Sequence, residues 1–439
     1  MGLFFGTDGL RGITNEDLSF ELAYKCGNAL ASVKDKPLVL IGRDTRVSGE
    51  YFTVAVAGGI MAGGGRAVDL GIIPTAGVAY LVREMKADFG VVISASHNPK
   101  EYNGIKVFGS DGYKLSDKEE EALERRFIHS KVNGFDDIGR FKCEPNTVKK
   151  YESFLVSASD RRLEGLSVVL DCANGAACRV APAVFRSLGA SVVASSSSDD
   201  GMRINDGCGA LYPEALVRRM QRYRADVGFA FDGDADRIMA VDKNGRIFDG
   251  DMLIYVLARY FKEKGRLRHS AIVGTSHTNM AIEHALAREG IELIRTDIGD
   301  KYVLMKMIER DLVLGGEQSG HIIIKDMHTT GDGILTAIAV ANMLSEKRAT
   351  LSELFDISLY PQVNLNIPVG DKLRVINSET LSEKVDKLRG MLGENGRIMI
   401  RASGTEPKIR IMVEGRSRSQ NEAYAEELAE TVRKTDEDI

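Results

Sequence analysis

The stretch VGFAFDGDADR, Val227 to Arg237, decides the fold. A short apolar run that ends abruptly in charge predicts a buried β-strand, with the acidic segment DGDADR (Asp232 to Arg237) as the loop it empties into. In α/β sheets, ligands bind beyond the carboxyl ends of the strands, so this loop falls where chemistry is expected. Side chains of an extended loop alternate sides, which lets Asp232, Asp234 and Asp236 converge on one point. Three carboxylates so close repel each other unless a cation neutralises them. A set of hard oxygen ligands without His or Cys favours Mg²⁺ or Ca²⁺. An EF-hand is excluded, because Arg237 stands where its glycine belongs and Lys243 where its bidentate glutamate belongs. Taken alone, the run also suits a solvated acidic turn or an inert Ca²⁺ staple.

Working outward, the same pattern recurs three times. The first series runs from a strand at Leu38 to Gly42 through helical stretches at Glu50 to Met61 and Thr75 to Met85. Its next strand, Phe89 to Ile93, empties into SASHNP, Ser94 to Pro99. The second series comprises a strand at Val168 to Asp171, a helix at Ala177 to Leu188, a strand at Ala190 to Ala194 and a helix at Pro213 to Tyr223, then Val227 to Phe231. The third opens at Ala271 to Gly274, passes helices at Met280 to Arg288 and Tyr302 to Ile308, and ends with Leu312 to Leu314 before GGEQSGH, Gly315 to His321. After Leu359 the texture changes to strands at Val363 to Val369, Arg397 to Ser403 and Ile409 to Gly415, with helices at Ser382 to Leu392 and Asn421 to Val432. The expectation is an α/β protein: three similar α/β domains with mixed sheets and a smaller C-terminal α+β domain, pooling their loops around a central cleft. The expected boundaries are 1–148, 149–248, 249–360 and 361–439.

Composition bounds the function classes. At 439 residues, with 44% hydrophobic and 28% charged residues, the chain is long enough for several well-filled cores, which excludes disorder, collagen and a small disulfide scaffold. A net charge of -5 and no basic run leave no footprint for nucleic acid or an anionic membrane, so any anionic ligand needs a local cluster. Five scattered cysteines without a CxxC fit reduced thiols. The start MGLFFGTDGLRG carries no leader pattern and no apolar run approaches a membrane span, so a cytoplasmic protein is expected.

Three further loops hold reactive groups. SASHNP places hydroxyls at the end of a buried strand; such serines commonly cap the next segment, and no GxSxG elbow supports acyl chemistry. A phosphorylated serine beside a metal would use the hydroxyl differently, as a phosphoryl carrier. RASGTEPKIR, Arg401 to Arg410, has the makings of an anion cradle: backbone donors and hydroxyls at Ser403, Gly404 and Thr405, with charge from Arg401, Lys408 and Arg410. An ordinary polar hairpin has the same composition. GGEQSGH offers Glu317, Ser319 and His321 on a glycine-flanked loop, alone a weak signal.

Together these motifs resemble the α-D-phosphohexomutase superfamily over nearly the whole chain and in the right order. FGTDGLRG (Phe5 to Gly12) resembles its N-terminal signature, SASHNP its phosphoserine loop, DGDADR its metal loop, GEQSGH its sugar-binding loop and RASGTEPKIR its phosphate-binding loop. Within it, the start FGTDG with VVLDCANGA (Val168 to Ala176), INDGCGA (Ile204 to Ala210), GGEQSGH and SGTEP is most similar to the bacterial phosphoglucosamine mutase family. TSHTNM, Thr275 to Met280, departs from that pattern.

The resemblance implies Mg²⁺ held by Asp232, Asp234, Asp236 and a phosphorylated Ser96, with a hexose 1,6-bisphosphate as intermediate and activator. It gives Arg11 and Arg237 the transferring charge and Lys106 or His97 the hydroxyl proton. Glu317, Ser319 and His321 would read the sugar, and Arg401, Ser403, Gly404, Thr405 and Arg410 the distant phosphate. The partner implied is a small phosphosugar, with no nucleic acid and no membrane, in a possible homodimer serving amino-sugar and cell-wall precursor supply. A phosphomannomutase or phosphoglucomutase, a phosphatase and a non-catalytic phosphosugar-binding protein are the competing readings.

Overall fold

The computed structural model describes residues 9–128, 132–403 and 406–437. The chain forms two compact units: residues 1–277 with 290–356, and residues 278–289 with 357–439.

The first unit holds three mixed sheets. The first consists of β1 (Leu10–Ile13), β2 (Leu38–Arg43), β3 (Arg66–Ile72), β4 (Phe89–Ile93), β5 (Tyr102–Gly109) and β6 (Arg140–Cys143), in the order β1-β5-β4-β2-β3-β6. The second consists of β7 (Ser167–Asp171), β8 (Ser191–Ser195), β9 (Val227–Phe231), β10 (Ile238–Asp242) and β11 (Ile247–Phe248), in the order β11-β10-β9-β7-β8. The third consists of β12 (Ala271–Thr275), β13 (Glu292–Thr296), β14 (Leu314–Gly316) and β15 (Ile322–Ile324), in the order β13-β12-β14-β15.

One plan underlies all three. A central strand (β2, β7 or β12) runs parallel to the next strand on one side and to the one after that on the other. The third strand then turns back into an antiparallel fourth: β4 into β5, β9 into β10, β14 into β15. SASHNP, DGDADR and GEQSGH are the connections at these three reversals, so the apolar strand followed by a polar loop marks the same point of the same topology each time. The central strands are buried along nearly their whole length, as their unbroken apolar runs require.

In the second unit β16 (Gln362–Pro368), β17 (Gly396–Ala402) and β18 (Lys408–Gly415) form an antiparallel sheet in the order β16-β18-β17. Helices Glu379–Leu392 and Arg418–Glu437 bury Leu381, Val385, Leu388, Leu428 and Val432 in one core with Ile409, Ile411 and Val413. This is the α+β domain expected of the C-terminal texture.

Several elements carry no sequence mark. Helix Gly333–Lys347 is buried from Gly333 to Leu344 and therefore lacks the polar stripe that reveals a surface helix; Gly250–Glu263 is similar. The third series ends at Gly316 rather than Leu314, because Gly315 and Gly316 are strand residues rather than a turn. A Cβ on Gly315 would meet the Met307 sulfur at 2.7 Å, so that glycine answers a packing demand. No helix among the described residues is long and apolar enough to cross a membrane.

Candidate active site

SASHNP leaves β4 and brings Ser96 into a left-handed conformation, φ 53°, that a residue with a Cβ seldom adopts. The surrounding bonds account for it. Ser96 N–H donates to Ser94 Oγ (2.8 Å), and that hydroxyl donates to Asp44 Oδ2 (2.5 Å). The Ser96 carbonyl accepts from Arg46 Nη2 (3.0 Å) and Asn205 Nδ2 (2.9 Å). The hydroxyl is thereby turned toward DGDADR and donates to Asp232 Oδ2 at 2.5 Å. His97 Nδ1 lies 3.2 Å from the same oxygen. Burial, with Arg237 and Arg11, lowers the His97 pKa to about 4.

The three aspartates converge as the alternation argument requires. Asp232, Asp234 and Asp236 are all buried, and one carboxylate oxygen from each lies within 4.8 Å of the others. A backbone group and a hydroxyl fix two of them: Arg237 N–H donates to Asp232 Oδ1 (3.1 Å), and Thr75, first residue of the helix Thr75–Glu84, gives its hydroxyl to Asp234 Oδ2 (2.6 Å). Lys106 on β5, itself buried, reaches Asp234 Oδ2 at 2.9 Å and Asp236 Oδ2 at 3.3 Å. Burial and the neighbouring carboxylates push Asp232 well above the usual carboxylate range. Burial also works against the Asp236 charge, but Lys106 and His321 outweigh it and hold Asp236 well below that range. Around Arg237, burial is likewise outweighed by Asp236 and Asp232, which keep it charged.

This donor set fits a hard divalent cation. Oδ1 of Asp234 is buried without a hydrogen-bond partner among the described residues, a costly arrangement that a metal would relieve, and Oδ1 of Asp236 has no hydrogen bond but faces His321 Nδ1 at 3.7 Å. Every candidate ligand atom is an oxygen, and the Ser96 hydroxyl completes the group.

The GEQSGH residues expected to read the sugar lie beside this cluster in the same unit. Arg237 forms a β-bridge with His321, and Ile238 N–H donates to the Gly320 carbonyl at 3.0 Å, so DGDADR and GEQSGH are laced together. His321 is buried with Nδ1 3.7 Å from Asp236 and Nε2 3.7 Å from Asp300; burial opposes its charge, yet the two carboxylates raise its pKa. Asp300 in turn pairs with Lys114 at 2.6 Å. Glu317 accepts from Gly299 N–H at 2.9 Å, and burial raises its pKa. Ser319 Oγ is buried without a partner among the described residues. Gln318 is bonded to Asp249, the N-cap of helix Gly250–Glu263, and so buttresses the loop.

The RASGTEPKIR residues belong to the second unit. Arg401 and Arg410 are cross-strand partners on β17 and β18. Arg410 lies 3.5 Å from Ser403 Oγ and 3.4 Å from Glu406, which also holds Lys408 at 2.7 Å. A carboxylate thus lies between two cations of the expected cradle. Burial followed by the Arg410 charge lowers the Arg401 pKa. Gly404 and Thr405, and Phe5 to Asp8 of the N-terminal signature, lie outside the described residues; Arg11 is on β1 opposite Gly104 of β5.

Sequence reasoning missed Asp44, Arg46, Thr75, Asn205 and Asp300. The first two stand in RDTR, directly after β2, where a charged loop at another strand end was there to be read. Of the departing segment TSHTNM, Thr278 to Met280 belong to the second unit. Asn279 caps helix Met280–Arg288 and bonds the Tyr360 carbonyl, while Met280 N–H donates to Glu414.

Four segments match the alpha/beta/alpha domains I (residues 2–133), II (147–245) and III (249–360) and the C-terminal domain (364–431) described as Phosphoglucomutase/phosphomannomutase. Phosphoglucosamine mutase from Carboxydothermus hydrogenoformans is 44% identical, over 99% of this chain and all of its own. That from Caldanaerobacter subterraneus is 45% identical over 98% and 99%. Among solved structures, a phosphoglucomutase/phosphomannomutase family protein from Burkholderia thailandensis superposes with a TM-score of 0.82 at 23% identity, over 98% and 97% of the two chains. Aspergillus fumigatus N-acetylphosphoglucosamine mutase, in complex with GlcNAc-6P and magnesium, gives 0.70 at 18% identity, over 99% and 95%. With all four domains present in order and near full-length identity above 40%, the chain belongs to the phosphoglucomutase/phosphomannomutase family of phosphohexomutases.

Proposed function

We propose that the protein is an isomerase that interconverts glucosamine 6-phosphate and glucosamine 1-phosphate, supplying amino-sugar precursors of the cell wall in the cytoplasm. The carrying observation is the contact between Ser96 Oγ and Asp232 at 2.5 Å, which joins a hydroxyl carrier to a hard-cation site. The near full-length phosphoglucosamine mutase relatives support the choice of sugar.

In this reading Ser96 carries the phosphoryl group. Asp232, Asp234, Asp236 and the Ser96 oxygen hold Mg²⁺, which when bound supplies charge neutralisation for the transferring phosphoryl group. Transfer breaks the phosphorus–oxygen bond to Ser96 and forms one to the substrate hydroxyl. The 1,6-bisphosphate then turns over and returns its other phosphoryl group to Ser96. His97 and Lys106 flank the reacting oxygen and the carboxylates, for proton transfer and charge balance respectively. Arg11 and Arg237 stabilise charge on the transferring group, and His321, Glu317 and Ser319 orient the ring hydroxyls. The cations Arg401 and Arg410, with Ser403, Gly404 and Thr405, take the non-reacting phosphate. Four domains, 1–148, 149–248, 249–360 and 361–439, divide this work among them.

A ³¹P NMR time course with Mg²⁺ and catalytic hexose 1,6-bisphosphate tests the proposal. Glucosamine 6-phosphate, glucose 1-phosphate and mannose 1-phosphate are offered separately. Conversion of the glucosamine ester ahead of the others is expected. Preference for glucose or mannose overturns the sugar assignment, and release of inorganic phosphate without isomer overturns the mutase assignment.

A further inference from the structure

The loop after β2, Asp44-Thr45-Arg46, holds a buried ion pair that touches no expected substrate group, yet its bonds converge on the carrier loop. Arg46 uses its whole guanidinium. Nε donates to Asp44 Oδ2 (3.0 Å), one terminal nitrogen to the carbonyls of Ser96 (3.0 Å) and Asn98 (2.7 Å), and the other to those of Pro99 and Tyr102 (2.9 Å). Asp44 holds the other side of Ser96 through Ser94. Asn205, from the second sheet's domain, donates to the Ser96 and Asn98 carbonyls as well.

Ordinary stability does not explain this arrangement. Desolvating an ion pair often costs as much as the pair returns, and apolar replacements are frequently as stable. Pro99 is exposed and Asn98 and Tyr102 are half-buried, so water is at hand for three of the four carbonyls, though not for that of buried Ser96. What water cannot do is hold four carbonyls in one geometry around a serine with φ 53°. A planar fork of fixed donors can.

We infer that Arg46, seconded by Asn205, is a positioning residue: it clamps the Ser96–Tyr102 carbonyls so that the carrier oxygen meets the Asp232 cluster. The inference deepens the mutase reading and rests on it. In-line transfer depends steeply on placement, and a misplacement of about 1 Å costs about 100-fold in rate.

The experiment compares Arg46→Met, Arg46→Lys and Asn205→Ala with wild type, each below its own unfolding temperature. For Arg46→Met, kcat falls about 100-fold while KM stays within about twofold, because the substrate-binding groups are untouched. Arg46→Lys, with fewer donors in a different geometry, recovers part of the loss, and Asn205→Ala loses about tenfold in kcat. Folded Arg46→Met with wild-type kcat, or with a loss confined to KM, overturns the clamp. Where the Arg46 variants fail to fold, unchanged kcat in Asn205→Ala does so. A wild type that isomerises no hexose phosphate sinks the mutase reading instead. In that case a crystal structure of Arg46→Met or Asn205→Ala decides the clamp alone: Ser96 displaced from Asp232 supports it, and an unmoved loop refutes it.

Discussion

Replacing Gly233 with alanine inserts one methyl group between the SASHNP and DGDADR loops, the proposed carrier and metal loops. Gly233 lies between Asp232 and Asp234, and a Cβ built there falls 2.4 Å from the Ser96 carbonyl oxygen, 3.0 Å from Ile204 Cδ1 and 3.1 Å from Asn205 Nδ2. An ordinary contact begins near 3.4 Å, so the two loops must part by about 1 Å. The Ser96 carbonyl is tied to Arg46 and Asn205, so the displacement passes to the metal loop and breaks the 2.5 Å contact between Ser96 Oγ and Asp232. Overpacking of this kind costs about 1–3 kcal/mol of stability, and a carrier misplaced by about 1 Å loses about 100-fold in kcat. The assay pairs a ³¹P NMR rate on the preferred hexose phosphate with thermal unfolding followed by circular dichroism. A Gly233→Ala enzyme with wild-type kcat and an unmoved unfolding midpoint refutes the claim that the close approach of these loops sets the rate.

With Ser96 as the proposed carrier, Ser96→Ala drops turnover to background and lacks the phosphate-sized adduct expected by intact mass in wild type. An active variant that still carries the adduct moves the carrier elsewhere. Arg410→Ala raises the phosphosugar Kd at least tenfold by order of magnitude, read by calorimetry on the Ser96→Ala background; unchanged affinity removes the cradle assignment. His328 provides a pH prediction away from the site. It is fully buried near Tyr80 and Phe154, and burial, with Arg83, lowers its pKa to about 4. A histidine depressed in the folded state contributes stability that is complete above its unfolded value near 6.5 and is lost as pH falls toward about 4. His328→Gln therefore flattens urea-unfolding stability across that window, and an identical pH slope in the variant contradicts the assignment.

The fold was legible where burial is one-sided or complete in strands. Phe89–Ile93 and Val227–Phe231 read correctly because their apolar runs stop at a polar or charged loop, and Pro213–Tyr223 because Pro213 opens it and its buried face repeats every three to four residues. Gly333–Lys347 was not, since burial on every side erases the period that identifies a helix. At the site, residues that present reactive groups from loops, Ser96 and the three aspartates, were visible in the chain itself. Those that work by reaching partners distant in the chain were not. Thr75 lies 159 positions from Asp234 and Asn205 lies 109 from Ser96, and a threonine or asparagine has no local signature of such a task. Lys106 shows the intermediate case: it was marked for proton transfer, and its two carboxylate contacts emerge only from the fold.

The chain visits its second unit twice, and this bears on how the protein can be cut. The match to alpha/beta/alpha domain III covers residues 249–360, yet helix Met280–Arg288 is grouped with the C-terminal sheet. Glu414 accepts its first free N–H, Asn279 is bonded to Tyr360, and Arg397 bonds the Thr278 carbonyl. An expression fragment ending at Asp356 therefore retains a helix stripped of its N-terminal partners, while the complementary fragment beginning at Ile357 retains the partners without the helix. The C-terminal fragment keeps the hydrophobic cluster from Ile367 to Val432 but loses the helix bonded to Glu414. Fragments cut at residue 356 are therefore expected to regain the Met280–Glu414 and Thr278–Arg397 contacts only when mixed.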